Sequence, residues 1–382
     1  MMKFVKNYLN YTLVGSFALI FAIIGAVGGL PGTFLALLEQ SVIAIILAVS
    51  LKMVVGFLGE LSLGHAGFMC IGAYVGGKIA VLLTKSLGGT NILTVVIALI
   101  AGGVCAGICG FIVGLPALRL RGDYLAIVTL AFGEIVKNIF ENSEAFGGQM
   151  GLKTPQFTTQ RDTRFILFTI GAVLVLLTLF VIQNVIKSKH GRAITAIRDN
   201  EIAARATGIN VTKYKLMGFV ISAVFAGLAG VLYSYSQQTL QAKTFDYNYS
   251  IEILVIVVLG GMTVNGSMIS AVLITALNNI LQTKLGGSFA IAKDLIYAVV
   301  LILMVIYRNA PALKSFREKY NLGNLWRKIF KPKVDPSKQG DDSMRWDVVP
   351  TKIDMDEVLS TDVIIDSTGD NSADIGERGG NK

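Results

Sequence analysis

Of 382 residues, 53% are apolar and only 15% are charged, against about 25% charged in soluble domains, which excludes an ordinary water-soluble enzyme. Three cysteines, all within apolar segments, exclude a disulfide scaffold, and together with two histidines they leave little material for a His/Cys metal centre. The net charge of +9 joins two unlike parts: residues 331–382 carry 7 Lys/Arg and 12 Asp/Glu, a net of −5, and the first 330 residues carry +14. Those basic residues punctuate long uncharged runs, which is how membrane topology is written and not how a nucleic-acid surface looks.

A helix needs about 20 mostly apolar residues to cross the hydrocarbon core. No charge occurs in residues 7–38, 86–118, 165–186, 216–242 or 253–283. The first run follows Lys3 and Lys6, but it is too long for a signal-peptide core and more spans follow, so it reads as a retained helix. In chain order the pattern predicts ten spans, near 11–30, 33–52, 61–84, 92–114, 122–141, 164–186, 216–237, 250–262, 266–283 and 289–308. The glycines and Asn265 in the stretch GGMTVNG (260–266) split one long apolar run in two. Lys187, Lys189, Arg192, Arg198, Arg205, Lys213 and Lys215 crowd one loop, which the positive-inside rule places in the cytoplasm. An even number of later spans brings Arg308, Lys314 and Arg317 to the same side. The expectation is an all-α polytopic membrane protein of about ten helices, some short or broken, with both termini cytoplasmic.

Glycine numbers 41, and the pairs Gly72/Gly76, Gly103/Gly107 and Gly110/Gly114 have the spacing that lets helix backbones approach closely. Cys105 and Cys109 share a helix face and read as small packing residues. The membrane-embedded body is expected to occupy residues 1–310. Basic and aromatic residues alternate through 311–331, either as an amphipathic helix on anionic lipid or as a plain linker. The acidic stretch 332–382 has too little apolar surface to fold alone and reads as a disordered cytoplasmic tail.

The chemistry of catalysis is absent. Residues 72–78 fit the first seven positions of a P-loop, but Ile79 lacks the hydroxyl that Mg²⁺ requires, and the flanks read as a membrane helix. The Arg121-Gly122-Asp123 tripeptide falls at a predicted membrane edge. Glu60, His65, Asp123, Glu134, Glu252 and Asp294 lie in or beside spans, where ionisable groups are costly. Most fall near predicted span ends, where solvent or headgroups satisfy them; lining a solute path and ion coupling are the functional alternatives. Neither a catalytic triad, a carboxylate pair, a metal site nor a cofactor motif appears. The remaining feature is the long basic loop 187–215. Good helix formers run from Ala193 to Ala206, and Gly208 is a plausible stop. A short helix of this kind suits docking into another protein's groove, or is simply a solvated loop.

The segment EIAARATG (201–208) resembles the coupling loop of ABC importer permeases. GELSLGHAGF (59–68) with IGAY (71–74) is similar to an early signature of the Liv-type branched-chain amino acid permeases, and LRLRGDYLAIVTL (118–130) with FGE (132–134) to their central motif. GRAITAIRDNE (191–201) resembles the LivM-type subunit in particular. The resemblance covers most of residues 35–310; the acidic tail departs from it. It implies an ABC importer permease fold in a bacterial cytoplasmic membrane, with a LivH-like permease partner, two cytoplasmic ATPase subunits and an extracytoplasmic amino-acid-binding protein. ATP would then be handled by the partner chains, and this chain needs no cofactor. Gly191, Arg192, Ala196, Arg198, Asp199, Glu201, Ala203, Ala204 and Gly208 would form the ATPase-coupling loop, the alanines facing an ATPase and Arg192, Arg198 and Glu201 fixing orientation. The binding protein would meet loops 142–163 and 238–249. Glu60, Ser62, His65, Gly260 and Asn265, at the two glycine-broken segments, are the expected translocation path. Urea permeases share much of the pattern, so urea is the alternative substrate. A secondary transporter or channel, or a structural membrane protein, are the rival classes.

Overall fold

The computed structural model describes residues 32–87, 91–120, 122–155, 161–261 and 263–285, with residues 295, 298, 299 and 302. The expected span 11–30, nearly all of 289–308, the segment 311–331 and the tail 332–382 lie outside the described residues. The described chain is a bundle of helices: α1 (Gly32–Lys52), continued by one π-helical turn (Met53–Leu58), α2 (His65–Leu87), α3 (Ile92–Ala117), α4 (Asp123–Asn142) and α5 (Arg161–Lys187). Two short helices follow, α6 (Lys189–Asp199) and α7 (Glu201–Ala206), and then α8 (Val211–Ser236), α9 (Tyr247–Gly260) and α10 (Val264–Leu285).

Six of these helices are long and apolar enough to cross a membrane. Ten were expected, and the difference within the described residues has a simple cause. The fifth expected span, α4, is a full-length helix but carries Asp123, Glu134, Lys137 and Glu141. The eighth, α9, has only 14 residues because Gly261 turns the chain out of the helix at φ +65°. The third starts later than expected, at His65, because residues 59–64 stay outside any helix, with Gly59 left-handed at φ +77°. The Leu63 N–H donates to Thr129 Oγ1 at 3.0 Å, tying that non-helical stretch to α4.

Small residues decide which helices meet. The backbone of α8 crosses α2 and α3 so closely that a Cβ on Gly72 would strike the Gly227 carbonyl, and one on Gly230 would strike the Met69 carbonyl. A Cβ on Gly110 would lie 2.6 Å from Ala223 Cβ, and one on Gly76 2.5 Å from Val231. The glycine pairs singled out in the sequence are therefore contact surfaces, as their spacing implies. The opposite face of α3 exposes Ile92, Val96, Ile100, Val104, Ile108 and Ile112 in a row. Such a stripe suits lipid and not water.

At the end of the bundle reached by Ser236, the loops after α4 and α8 pair. β1 (Leu152–Lys153) and β2 (Thr239–Leu240) run antiparallel, with Leu152 opposite Leu240. Tyr74 donates to the Leu240 carbonyl at 3.0 Å and stacks on Phe140 with ring centroids 4.6 Å apart. Phe146 and Phe245 close edge-on around Tyr74. The loops at this end are thus fixed to the bundle by an aromatic cluster and a short ladder.

The glycine junction makes a stability prediction. Gly230→Ala places a methyl against backbone, which cannot move aside cheaply, and should cost about 1–3 kcal/mol. Gly32→Ala meets no atom within 4 Å and should change stability by less than about 0.5 kcal/mol. Thermal unfolding of the detergent-solubilised protein compares the two; equal melting would show that the junction is slack.

Candidate functional site

The loop between α5 and α8 folds into two helices because each has its own cap. Ser188 Oγ accepts from the backbone N–H of His190 and Gly191, at 3.1 and 3.3 Å, and opens α6. Asn200 closes α6 and opens α7, its Oδ1 accepting from Ala203 N–H at 3.0 Å. Gly208, at φ +83°, lets the chain leave α7 in a left-handed conformation that side chains resist. Asn210 Oδ1 then accepts from Lys213 N–H at 3.1 Å and starts α8. Such caps contribute about 1 kcal/mol each, enough to define helices too short to persist alone.

The two short helices lie against the bundle on apolar residues. Ile194 belongs to the main core, while Ile197, Ala204 and Val211 form a second cluster with Ile209 and Tyr214 packed on it. Gly191 is required where α6 folds back under α5, since a Cβ there would strike the Ile186 carbonyl.

Charge completes the attachment. Lys215, on the first turn and a half of α8, has a side chain only 4% exposed. Its Nζ pairs with Glu60 and, at 3.2 Å, with Glu201 Oε2. Glu201 Oε1 also accepts from Arg205 at 2.8 Å. Beside this network, Arg198 Nη1 donates to the Gly56 carbonyl at 3.1 Å, and its Nε and Nη2 hold Asp199 Oδ1. Gly59 has φ +77°, and a Cβ on it would lie 2.6 Å from Arg198 Cγ. Lys52, almost wholly buried on the last turn of α1, donates to the Gly261 carbonyl at the break between α9 and α10.

The nine residues expected in the coupling loop therefore divide. Glu201 and Ala204 turn toward the bundle and Arg198, itself exposed, reaches it at the Gly56 carbonyl, with Gly191 and Gly208 shaping the backbone. Arg192, Ala196, Asp199 and Ala203 are exposed, as is Ile202 at 74%. Arg198 and Glu201 spend their hydrogen bonds on this chain, and the outward apolar surface comes from Ala196, Ile202 and Ala203.

The five residues expected along a path do not share one site. Glu60 joins the ion-pair network of Lys215. Ser62 is buried, and His65 Nε2 lies 2.9 Å from Ser50 Oγ, hydrogen-bonded to it in the interior. Ser50 O accepts from Ser222 at 2.7 Å, and Ser250 Oγ accepts from Ala66 N–H at 3.1 Å, so this region fastens α1, α2, α8 and α9 together. Gly260 packs directly on Ser267, and Asn265 is half-buried near the helix break. The polar side chains that do share a cavity, Gln40, Gln237, Glu252, Asn278 and Asn279, lie elsewhere. They were legible only singly, as isolated amides and one acid at separated points of apolar runs. Among the other ionisable groups, Glu134 caps α9 by accepting from Tyr247 N–H at 2.9 Å, and Asp123 begins α4. Among the described residues no group of His, Cys, Asp and Glu is placed to hold a metal ion.

Three sequence motifs converge here. Gly64 packs on the Thr129 backbone, Gly67 would place a Cβ 2.8 Å from Gly133 Cα, and Gly59 and Glu60 meet Arg198 and Lys215. Residues 33–307 match the family described as branched-chain amino acid transport system, permease component. The chain belongs to that family. Over 311 residues it is 36% identical to the high-affinity branched-chain amino acid transport system permease protein LivM of Salmonella typhimurium, covering 74% of this chain and 70% of the relative. The LivM protein of Escherichia coli is 36% identical over 312 residues, covering 74% and 71%. A probable LivM protein of Methanocaldococcus jannaschii is 29% identical over 246 residues, covering 56% and 71%. The family reading accounts for the multi-pass membrane architecture.

Lys215 supplies the test of the network. Removing one partner of a buried ion pair leaves an uncompensated charge, at about 3–5 kcal/mol. Lys215→Met should therefore lower the melting temperature sharply. The double variant Lys215→Met with Glu60→Gln, which removes one of the stranded carboxylates, should melt higher than Lys215→Met alone. Equal melting of the single and double variants would place Glu60 outside the network.

Proposed function

We propose that this protein is the membrane-spanning permease subunit of an ATP-driven importer of branched-chain, aliphatic amino acids. It would form the translocation path with a LivH-like permease in a bacterial cytoplasmic membrane. The observation that carries this reading is the family match over residues 33–307, whose characteristic motifs meet around the anchored helices α6 and α7. These helices present Ala196, Ile202 and Ala203 outward, a small apolar surface fit to enter a groove. Two cytoplasmic ATPase subunits are the partners that would offer such a groove, one for each permease, and they would hydrolyse the ATP. The positive-inside rule puts this end of the bundle in the cytoplasm. The opposite end, with β1, β2 and the aromatic cluster around Tyr74, then faces outward and would receive the amino-acid-binding protein.

Alternating access needs an energy difference between inward- and outward-facing states, and a ligand provides one only through unequal affinity for them. ATP-driven closure of the ATPase pair supplies it here, delivered through α6 and α7. Two measurements test the reading. Cells lacking this gene but keeping the partner genes should lose ATP-dependent uptake of labelled leucine and retain uptake of labelled urea; the reverse result would keep the architecture and replace the substrate. Ile202→Asp, which charges the outward surface without touching the internal anchors, should abolish co-purification of the ATPase while leaving the permease melting temperature within about 2 °C of the parent. Undiminished co-purification in that variant would count against docking at α7.

A further inference from the structure

Between α1, α8, α9 and α10 lies a partly open cavity of about 200 Å³. Its level follows from the contact of Lys52 with Gly261. Counting about 1.5 Å per helical residue from there, Leu47, Glu252, Gln40 and Asn278 lie roughly 8 to 21 Å into the bundle, away from the coupling helices. A wider, more open cavity of about 660 Å³ adjoins it, shares Tyr233, Tyr249, Glu252 and Asn278 with it, and reaches Lys243 and Asp246 on the loop after β2 and Asn248 on the first turn of α9. Glu252 is thus the carboxylate on the wall that the two cavities share.

The lining is of three kinds. Glu252 supplies the carboxylate. Gln40, Gln237, Asn278 and Asn279 supply carboxamides, and Tyr249 a hydroxyl. Ile43, Ala44, Leu47, Ile253 and Ile256 make an aliphatic wall. Polar groups at this depth are costly in a membrane protein, and where they cluster they mark solute pathways. We propose that this cavity is a binding station, within this one subunit, for a single zwitterionic aliphatic amino acid on its way through. The ammonium group would pair with Glu252, the carboxylate would accept from the amide and phenol donors, and the branched side chain would lie on the isoleucine wall. Size agrees: benzene, with six heavy atoms, fits a cavity of about 150 Å³, and leucine has three more. Urea would leave the aliphatic wall unused, and a path for bare cations would have no need of it. The proposal deepens the amino-acid reading given above and rests on it.

The test uses the complete transporter in cells and compares labelled leucine with labelled valine, which is shorter by one methylene. In a fitted pocket one methylene changes discrimination by about tenfold. Ala44→Phe narrows the aliphatic wall and should lower the leucine-to-valine uptake ratio by about that factor. Ile43→Ala widens the same wall and should raise the ratio, and it serves where Ala44→Phe does not accumulate. Glu252→Gln should reduce uptake of both solutes at least about tenfold without altering their ratio, with ATPase co-purification intact. A ratio unchanged by the wall variants overturns the station, whatever Glu252→Gln does, and leaves the importer reading standing. Failure of the parent transporter to take up either amino acid would overturn the importer reading itself.

Discussion

A lysine ammonium buried inside a membrane protein must find negative charge, and Lys215 finds it in two places at once. Glu60 comes from the non-helical segment before α2, and Glu201 from the first turn of α7. Neither carboxylate is near Lys215 in sequence in the way that a helical neighbour would be. The need to neutralise one cation therefore fixes the position of a surface helix relative to two long helices. Arg198 repeats the device on α6 with a neutral partner, the Gly56 carbonyl. Ile194, Ile197 and Ala204 remove apolar surface from water at the same interface, which stabilises the attachment without setting its register. The charges and hydrogen bonds are directional, and they set it.

From that end the bundle divides into two sides with different physics. On the side of α2, α3 and α8, glycines bring backbones so close that added methyl groups would strike carbonyl oxygens. Contact of this kind is dense and short-ranged, and close-packed interiors transmit displacement instead of absorbing it. On the side of α1, α9 and α10, the contacts include carboxamides, hydroxyls and cavities. There α9 is short and ends at a glycine break. The rigid side carries the β1 and β2 loops through Tyr74 and Leu240, and the polar side offers room to a solute.

How much of this the sequence discloses depends on the range of the interaction. Uncharged runs announce helices α3, α5, α8 and α10, and broadly apolar stretches with few charges announce α1 and α2, because crossing lipid requires consecutive apolar residues. The glycine pairs announce close packing, although not which helix answers them: Gly72 meets Gly227, more than 150 residues away. Ser188, Asn200 and Asn210 are caps legible in principle, yet only Gly208 was recognised, since helix formers dominate that stretch. The residues expected along a path are dispersed for a related reason. Glu60, Ser62 and His65 look alike as polar residues in one apolar neighbourhood. Five residues along the non-helical segment nevertheless separate Glu60, paired with Lys215, from His65, bonded to Ser50 in the core. The residues that do share a cavity come from four helices and stand up to 239 positions apart, as Gln40 and Asn279 do. No local pattern joins them.

The anchored loop and the polar cavity are connected by one further contact. Lys52 ends α1, one turn before the Gly56 carbonyl that Arg198 holds, and its own ammonium reaches the Gly261 carbonyl at the α9–α10 break. Its stem lies over Gly56 so closely that a Cβ there would sit 2.6 Å from Lys52 Cε. Arg198, Gly56, Lys52 and Gly261 are thus successive neighbours from the exposed helix to the helix break. In the proposed importer, a displacement of α6 bears on α5, under which α6 folds, and through Arg198 on the π-helical turn. That turn is a sparsely used helical form, placed where the register of α1 is most easily shifted. A shift passed to Gly261 moves the lower end of α9, and Glu252 lies two turns above it. The energy difference delivered at the cytoplasmic surface then acts on the carboxylate on the cavity wall, through atoms in contact and without a distant signal.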